Sequence, residues 1–168
     1  MNVLFLCTGN SCRSILAEAT FNHLAFAGMR AMSAGSQPTG EVHPRAIALL
    51  KSKGIATDGY FSKSWNNLPF VPDILITVCG NAAGETCPAY IGKVLRAHWG
   101  VEDPAKATGS EAEINASFEE AYQILRKRIE AFLALPFNTI QADEKRFKSA
   151  LDKIGQISQW LFAEAITV

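Results

Sequence analysis

The chain has 168 residues, enough for one domain with a sizeable core, and 48% of them are hydrophobic. Its 16 basic and 16 acidic side chains cancel, so no global field favours nucleic acid or an anionic membrane surface. The longest apolar runs fall well short of a membrane span, and Met1 leads into a strand with no charged leader segment before it, so the expectation is a cytoplasmic protein. Any preference for anions must therefore be local.

In chain order, the apolar β-type run Val3 to Leu6 stops abruptly at Cys7. Small and polar residues follow, then Arg13 and Ser14, and an apolar helical pattern begins at Ile15. That pattern (Ile15, Leu16, Ala19, Phe21, Leu24, Phe26) predicts a helix ending at Gly28, a good C-cap residue. Met29 to Ala34 reads as a short strand, closed by Gly35 and the turn-forming Gln37-Pro38-Thr39-Gly40. His43-Pro44 opens a second helix, with Pro44 near its first turn, and Lys53-Gly54 ends it. Residues 55–71 read as a loop with a short helix. Asp73 to Cys79 is a second buried strand, and it too ends in a cysteine. Residues 80–92 are rich in Gly, Ala and Pro, and Val94 to Trp99 reads as a further strand. A long helix over Glu111 to Leu135 and a last one over Ala142 to Ala165 carry apolar side chains at helical spacing, the stripes expected of core packing.

The alternation of strands and helices predicts an α/β fold, an open parallel sheet flanked by helices. In such sheets ligands sit beyond the carboxyl ends of the strands, where Cys7 and Cys79 can face one crevice. The loop between them and the first helix has its own chemistry. A cysteine between a strand end and a helix start meets unpaired backbone N–H groups and the positive end of a helix dipole. Such a setting binds an oxyanion and lowers a thiol pKa, so Cys7 is expected as a thiolate. Arg13 adds a planar fork of donors that matches a tetrahedral oxyanion. Gly9 and Asn10 are residue types that tolerate the positive φ a tight anion cradle needs. The cysteines at 7, 12, 79 and 87 form no CxxC pair and no zinc spacing, so no metal site is expected. His23, His43 and His98 have no partners at ligand spacing and read as surface or capping residues.

Cys7-Thr8-Gly9-Asn10-Ser11-Cys12-Arg13-Ser14 matches the CX5R[ST] loop of low-molecular-weight protein tyrosine phosphatases. More closely, the chain resembles the arsenate reductases that share that fold. Ser33-Ala34-Gly35, Ser62-Lys63-Ser64-Trp65, Cys79 with Cys87-Pro88, and His98-Trp99-Gly100 followed by Asp103-Pro104-Ala105 carry the resemblance along most of the chain. It implies a single domain over 1–168 with a three-layer, flavodoxin-like, four-stranded parallel sheet and an extra C-terminal helical extension from about 140. It also implies an oxyanion bound by Thr8, Gly9, Asn10, Ser11, Cys12 and Arg13. Cys7 would attack arsenate, with Ser14 hydrogen-bonded to the thiolate and Asp103 protonating the departing oxygen. Cys79 would then expel arsenite as a disulfide forms, and Cys87 would resolve that disulfide by exchange.

No tightly bound cofactor is implied, only an external thiol reductant. The Cys79 to Cys87 spacing is one residue longer than in thioredoxin-coupled reductases, so glutathione with glutaredoxin stands beside thioredoxin as that reductant. Asn10, Glu18 and Ser33 match a potassium set of the family, but its remaining aspartate has no counterpart, and no ion is expected. A monomer is expected, with neither nucleic acid nor membrane as partner. The alternative enzyme is a phosphotyrosine phosphatase. Against it, the family's Asp-Pro-Tyr reads Asp103-Pro104-Ala105, and hydrolysis needs neither Cys79 nor Cys87. A non-catalytic anion-binding module, a cysteine metal site and a flavin module are the readings from other classes.

Overall fold

The structure, a computed structural model, describes residues 1–80 and 94–158. Cys87 and the end of the last expected helix lie outside those residues. The strands are β1 (Asn2–Leu6), β2 (Arg30–Ala34), β3 (Ile74–Thr77) and β4 (Leu95–His98). They form one parallel sheet in the order β2-β1-β3-β4. Val3, Leu4, Phe5 and Leu6 are all fully or almost fully buried, the pattern of a strand covered on both faces. The helices are α1 (Arg13–Leu24), α2 (Pro44–Ser52), α3 (Glu111–Leu133), α4 (Phe137–Ile140) and α5 (Glu144–Ile154).

Helix α1 buries an unbroken run from Ser14 to Phe21, so it is an interior helix with little polar face to show. An aromatic column joins it to the sheet and to α3. Phe5 meets Phe21 at 6.0 Å and Trp99 at 6.2 Å, and Phe132 stands 5.6 Å from Phe21 and 6.3 Å from Trp99. Phe137 and Phe147 extend the column from α4 and α5. Helix α3 begins as its sequence suggests, with the Ser110 hydroxyl accepting the Glu113 N–H and Glu111 and Glu113 in the first turn. His43 caps α2, its Nδ1 accepting the Arg45 N–H at 3.1 Å.

Two helix ends differ from expectation. Helix α1 stops at Leu24, ahead of Gly28, because Ala25 is extended; Gly28, at φ +89°, serves the turn into β2 instead. Among the described residues the last expected helix runs from Glu144 to Ile154, where Gly155 closes it. A Cβ at Gly155 would lie 2.7 Å from both the His98 carbonyl oxygen and Trp99 Cδ1, so this helix end rests directly on the end of β4. The short helix α4 went unforeseen, since four residues after Pro136 carry no readable period.

Candidate active site

Strand β1 lies between β2 and β3, and the chain goes first to one side of it and then to the other. At that switch the connections leaving β1 and β3 part, which opens a crevice beyond their carboxyl ends. Leu6 pairs with Thr77 in register, and the Val78 N–H donates to the Leu6 carbonyl at 2.9 Å. Cys7 and Cys79 therefore both emerge at the crevice.

The loop after β1 is built by turning its carbonyls outward. Thr8 O accepts from the Gln37 N–H at 3.0 Å, Gly9 O from the Thr39 N–H at 3.0 Å, and Ser11 O from the His43 N–H at 2.9 Å. Peptide planes fixed in that sense aim the opposite N–H groups inward, and the N-terminus of α1 adds its own unpaired donors. The curl passes through Asn10, at φ 44° the one positive-φ residue other than glycine among those described. Asparagine tolerates that conformation, and its side chain holds it in place. Fully buried Asn10 donates through Nδ2 to Ser14 Oγ at 2.8 Å and Ser33 Oγ at 2.9 Å, and its Oδ1 accepts the Lys63 N–H at 2.8 Å.

Behind Asn10 the network ends in a buried ion pair. Ser33 donates its hydroxyl to Glu18, and Lys63 Nζ stands 3.7 Å from the other Glu18 oxygen, both side chains almost wholly buried. Burial raises the Glu18 carboxyl above its usual range, with Lys63 pulling it back, and burial lowers Lys63. An ammonium thus stands at the carboxylate of the Asn10, Glu18 and Ser33 set. Sequence reasoning gave Lys63 no role, although a glutamate amid the apolar run of α1 signals a buried partner.

Arg13, the first residue of α1, reaches across to the segment after β4. Its Nη1 donates to Val101 O at 2.9 Å, and Nη2 stands 3.4 Å from Asp103 Oδ2. Asp103 Oδ1 accepts the Ala105 N–H at 3.0 Å, which starts the short 3-10 turn Pro104–Lys106 and leaves Oδ2 facing Arg13. Arg13 thus joins the loop to Asp103. Ser14 lies fully buried beneath the loop and accepts from Asn10, a bond that leaves its own proton available for donation.

Cys7 departs from the expected low pKa. Its thiol is raised, first by a hydrogen bond with Cys79 and then by burial; Arg13 and the Gly9 N–H pull the other way. Cys79 also accepts the Thr8 N–H at 3.4 Å. The helix end and the arginine favour a thiolate, but a second thiol hydrogen-bonded to the first opposes it, and two such thiols resist joint ionisation. Cys12 is buried and pushed up to about 12, by burial first, so it stays a thiol.

A family model described as low molecular weight phosphotyrosine protein phosphatase matches residues 2–146. An arsenate reductase of Halalkalibacterium halodurans is 38% identical over 131 residues, 77% of this chain and 93% of that protein. The solved structure of an arsenate reductase in its phosphate-binding state superimposes with a TM-score of 0.66 at 28% identity, covering 79% of this chain and 96% of the other. A thioredoxin-dependent arsenate reductase of Corynebacterium glutamicum aligns with a TM-score of 0.52 at 28% identity, over 77% of this chain and 61% of that one. With the loop, the sheet order and these likenesses in agreement, the chain belongs to the low molecular weight phosphotyrosine protein phosphatase family.

Proposed function

We propose that the protein is an arsenate reductase that passes two electrons from its own thiols to an oxyanion held in the loop 7–13. The observation that carries this reading is the position of Cys79, whose sulfur accepts the Thr8 N–H and touches Cys7. Hydrolysis of a phosphocysteine calls for water beside the adduct and has no use for a thiol there.

In the first step the Cys7 thiolate attacks arsenic, while Arg13 and the inward N–H groups of Gly9 through Arg13 hold the remaining oxygens. Arg13 and the Gly9 N–H favour the thiolate, and Ser14's free proton adds a donor beneath it. Asp103, through Oδ2, gives a proton to the departing oxygen, which leaves as water. In the second step the Cys79 thiolate attacks the Cys7 sulfur. The sulfur–arsenic bond breaks with its electron pair on arsenic, arsenic falls from the +5 to the +3 state, and a Cys7–Cys79 disulfide forms. Cys87, which lies outside the described residues, then attacks Cys79 and frees Cys7, and an external dithiol of the thioredoxin type, or glutathione with glutaredoxin, reduces the new disulfide. All these groups come from one chain, so a monomer suffices. Thiol cycling of this kind suits the cytoplasm, and no described helix is long and apolar enough to cross a membrane.

The test is arsenate turnover driven by thioredoxin or by glutathione plus glutaredoxin, in wild type, Cys7→Ser, Cys79→Ser and Cys87→Ser. Cys7→Ser should be inert, and Cys79→Ser should give no multiple turnover. Full multiple turnover by Cys79→Ser would sink the relay. Phosphomonoester hydrolysis that outruns arsenate reduction and ignores Cys79 would favour the phosphatase reading.

A further inference from the structure

Arg128 of α3 is 5% exposed, and among the described residues no carboxylate pairs with it. A buried guanidinium is costly unless its N–H groups find acceptors, and here every acceptor is a backbone carbonyl. Nη1 donates to Trp99 O at 2.8 Å and to Gly100 O at 3.2 Å, while Nε donates to Ile157 O at 2.9 Å. Burial without an acid beside it lowers the guanidinium to about 10.

The clamped carbonyls sit immediately upstream of the catalytic segment. The Trp99 N–H donates to Thr77 O at 2.7 Å and the Val101 N–H to Val78 O at 3.1 Å, which carries the ladder past the end of β4. Val101 O then receives Arg13, and Asp103 follows two residues later. The other jaw of the clamp is the C-terminal segment. Trp99 Nε1 donates to Leu151 O at 3.0 Å, and Gly155 rests on His98 O. Two successive carbonyls and a third from residue 157 converge on one point. A planar fork of donors can serve all three, and a lysine head cannot do so in the same geometry.

We propose that Arg128 is a positioning residue: by pinning Trp99 O and Gly100 O to Ile157 O it sets where Val101 O and Asp103 hold the Arg13 guanidinium over the loop. This rests on the reading of Arg13 as oxyanion donor and Asp103 as acid. The C-terminal segment thereby becomes part of the site without touching substrate.

The experiment compares full-length wild type, Arg128→Met and Arg128→Lys, each shown folded by thermal melting, in arsenate turnover and in inhibition by inorganic phosphate. Arg128→Met should lower kcat about tenfold and weaken phosphate inhibition roughly threefold or more, as small misplacements of reacting groups do. Arg128→Lys should fall between, and it carries the comparison if the methionine variant does not fold. In an Asp103→Asn background the further kcat loss from Arg128→Met should be clearly smaller than in wild type, since the part carried through Asp103 is already lost and only the part carried through Val101 O remains. An unchanged kcat and phosphate inhibition constant in the folded variants overturns the proposal. So does a kcat loss of the same size in both backgrounds, the mark of general damage. If Asp103→Asn alone turns over at the wild-type rate, the acid reading has failed, and Arg128 then stands or falls on the phosphate constant, which reports Arg13.

Discussion

Two side chains that touch can each undo what the backbone does for the other, and Cys7 with Cys79 is such a pair. The loop supplies donors that favour a thiolate, while the neighbouring thiol and burial raise Cys7. Replacing Cys79 by Ala removes the largest raising influence and leaves Arg13 and the Gly9 N–H acting, so the Cys7 pKa should fall. Alkylation of Cys7 by iodoacetamide, followed across pH, should then reach half its maximal rate at lower pH than in wild type. A curve that stays in place, or moves up, means that burial and not the second thiol sets the Cys7 value. The buried pair behind the loop has the opposite arithmetic. Glu18 lies above its unfolded value in the folded protein, so the stability it contributes is present below that unfolded value and is lost as pH rises through the folded one. Lys63→Met removes the group that pulls Glu18 back, leaves a buried carboxylate unpaired, and should cost about 3–5 kcal/mol near neutrality. Its melting-temperature deficit against wild type should grow as pH rises from the acid range toward neutral, and Glu18→Gln should remove that pH dependence. A deficit that is flat in pH would show that Glu18 already holds its proton in wild type.

At the scale of elements, the loop depends on how β2 ends. Gly35 bonds to both sides of the 63–65 segment, its N–H to Lys63 O at 2.9 Å and its carbonyl from the Trp65 N–H at 3.0 Å. A Cβ there would collide with the Thr8 carbonyl and lie 2.7 Å from the Cys7 carbonyl. Both obstacles are backbone, so Gly35→Ala must move the oxyanion loop itself. The expected result is arsenate turnover at least about tenfold lower with a native far-UV spectrum; turnover near wild type would mean the loop yields without losing its shape. Much of this region was legible in the chain. The apolar runs ending at Cys7 and Cys79, and the small residues before Arg13, fix strand, loop and helix because local backbone preference and burial agree there. Gly35 could be read only as a turn, since its close approach to Thr8 is made by a strand remote in sequence. That Cys7 and Cys79 face one crevice was legible, but how closely they meet depends on the register of β1 against β3 (Leu6 with Thr77), which no local pattern encodes. Helix ends were misread because apolar residues recur past them: α1 stops where Ala25 turns extended, and α5 stops at Gly155, which packs on His98 and Trp99.

At the scale of the whole molecule, the family match ends at residue 146, inside α5. The place of this helix on β4 says what it does. Phe147, Leu151 and Ile154 are each no more than 6% exposed, and Leu151 O satisfies the indole N–H of fully buried Trp99. At about 2 kcal/mol for each buried apolar side chain, their removal costs roughly 6 kcal/mol. A buried indole N–H left without its acceptor adds about 1–3 kcal/mol. Against a total stability of about 5–15 kcal/mol, such a loss is a large part of the whole. A chain ending at Asp143 should therefore melt roughly 15–35 °C below the full chain, since each kcal/mol shifts a protein of this size by about 2–4 °C. It should also bind a hydrophobic dye that the intact chain does not, because Trp99 and Phe132 lose their cover. A truncated chain that melts within a few degrees of the full one would show that α4 and the aromatic column close the core by themselves. The helix would then be an outer layer on a fold already complete. The expected outcome makes it part of the core, laid against the strand whose next residues carry Val101 and Asp103 to Arg13.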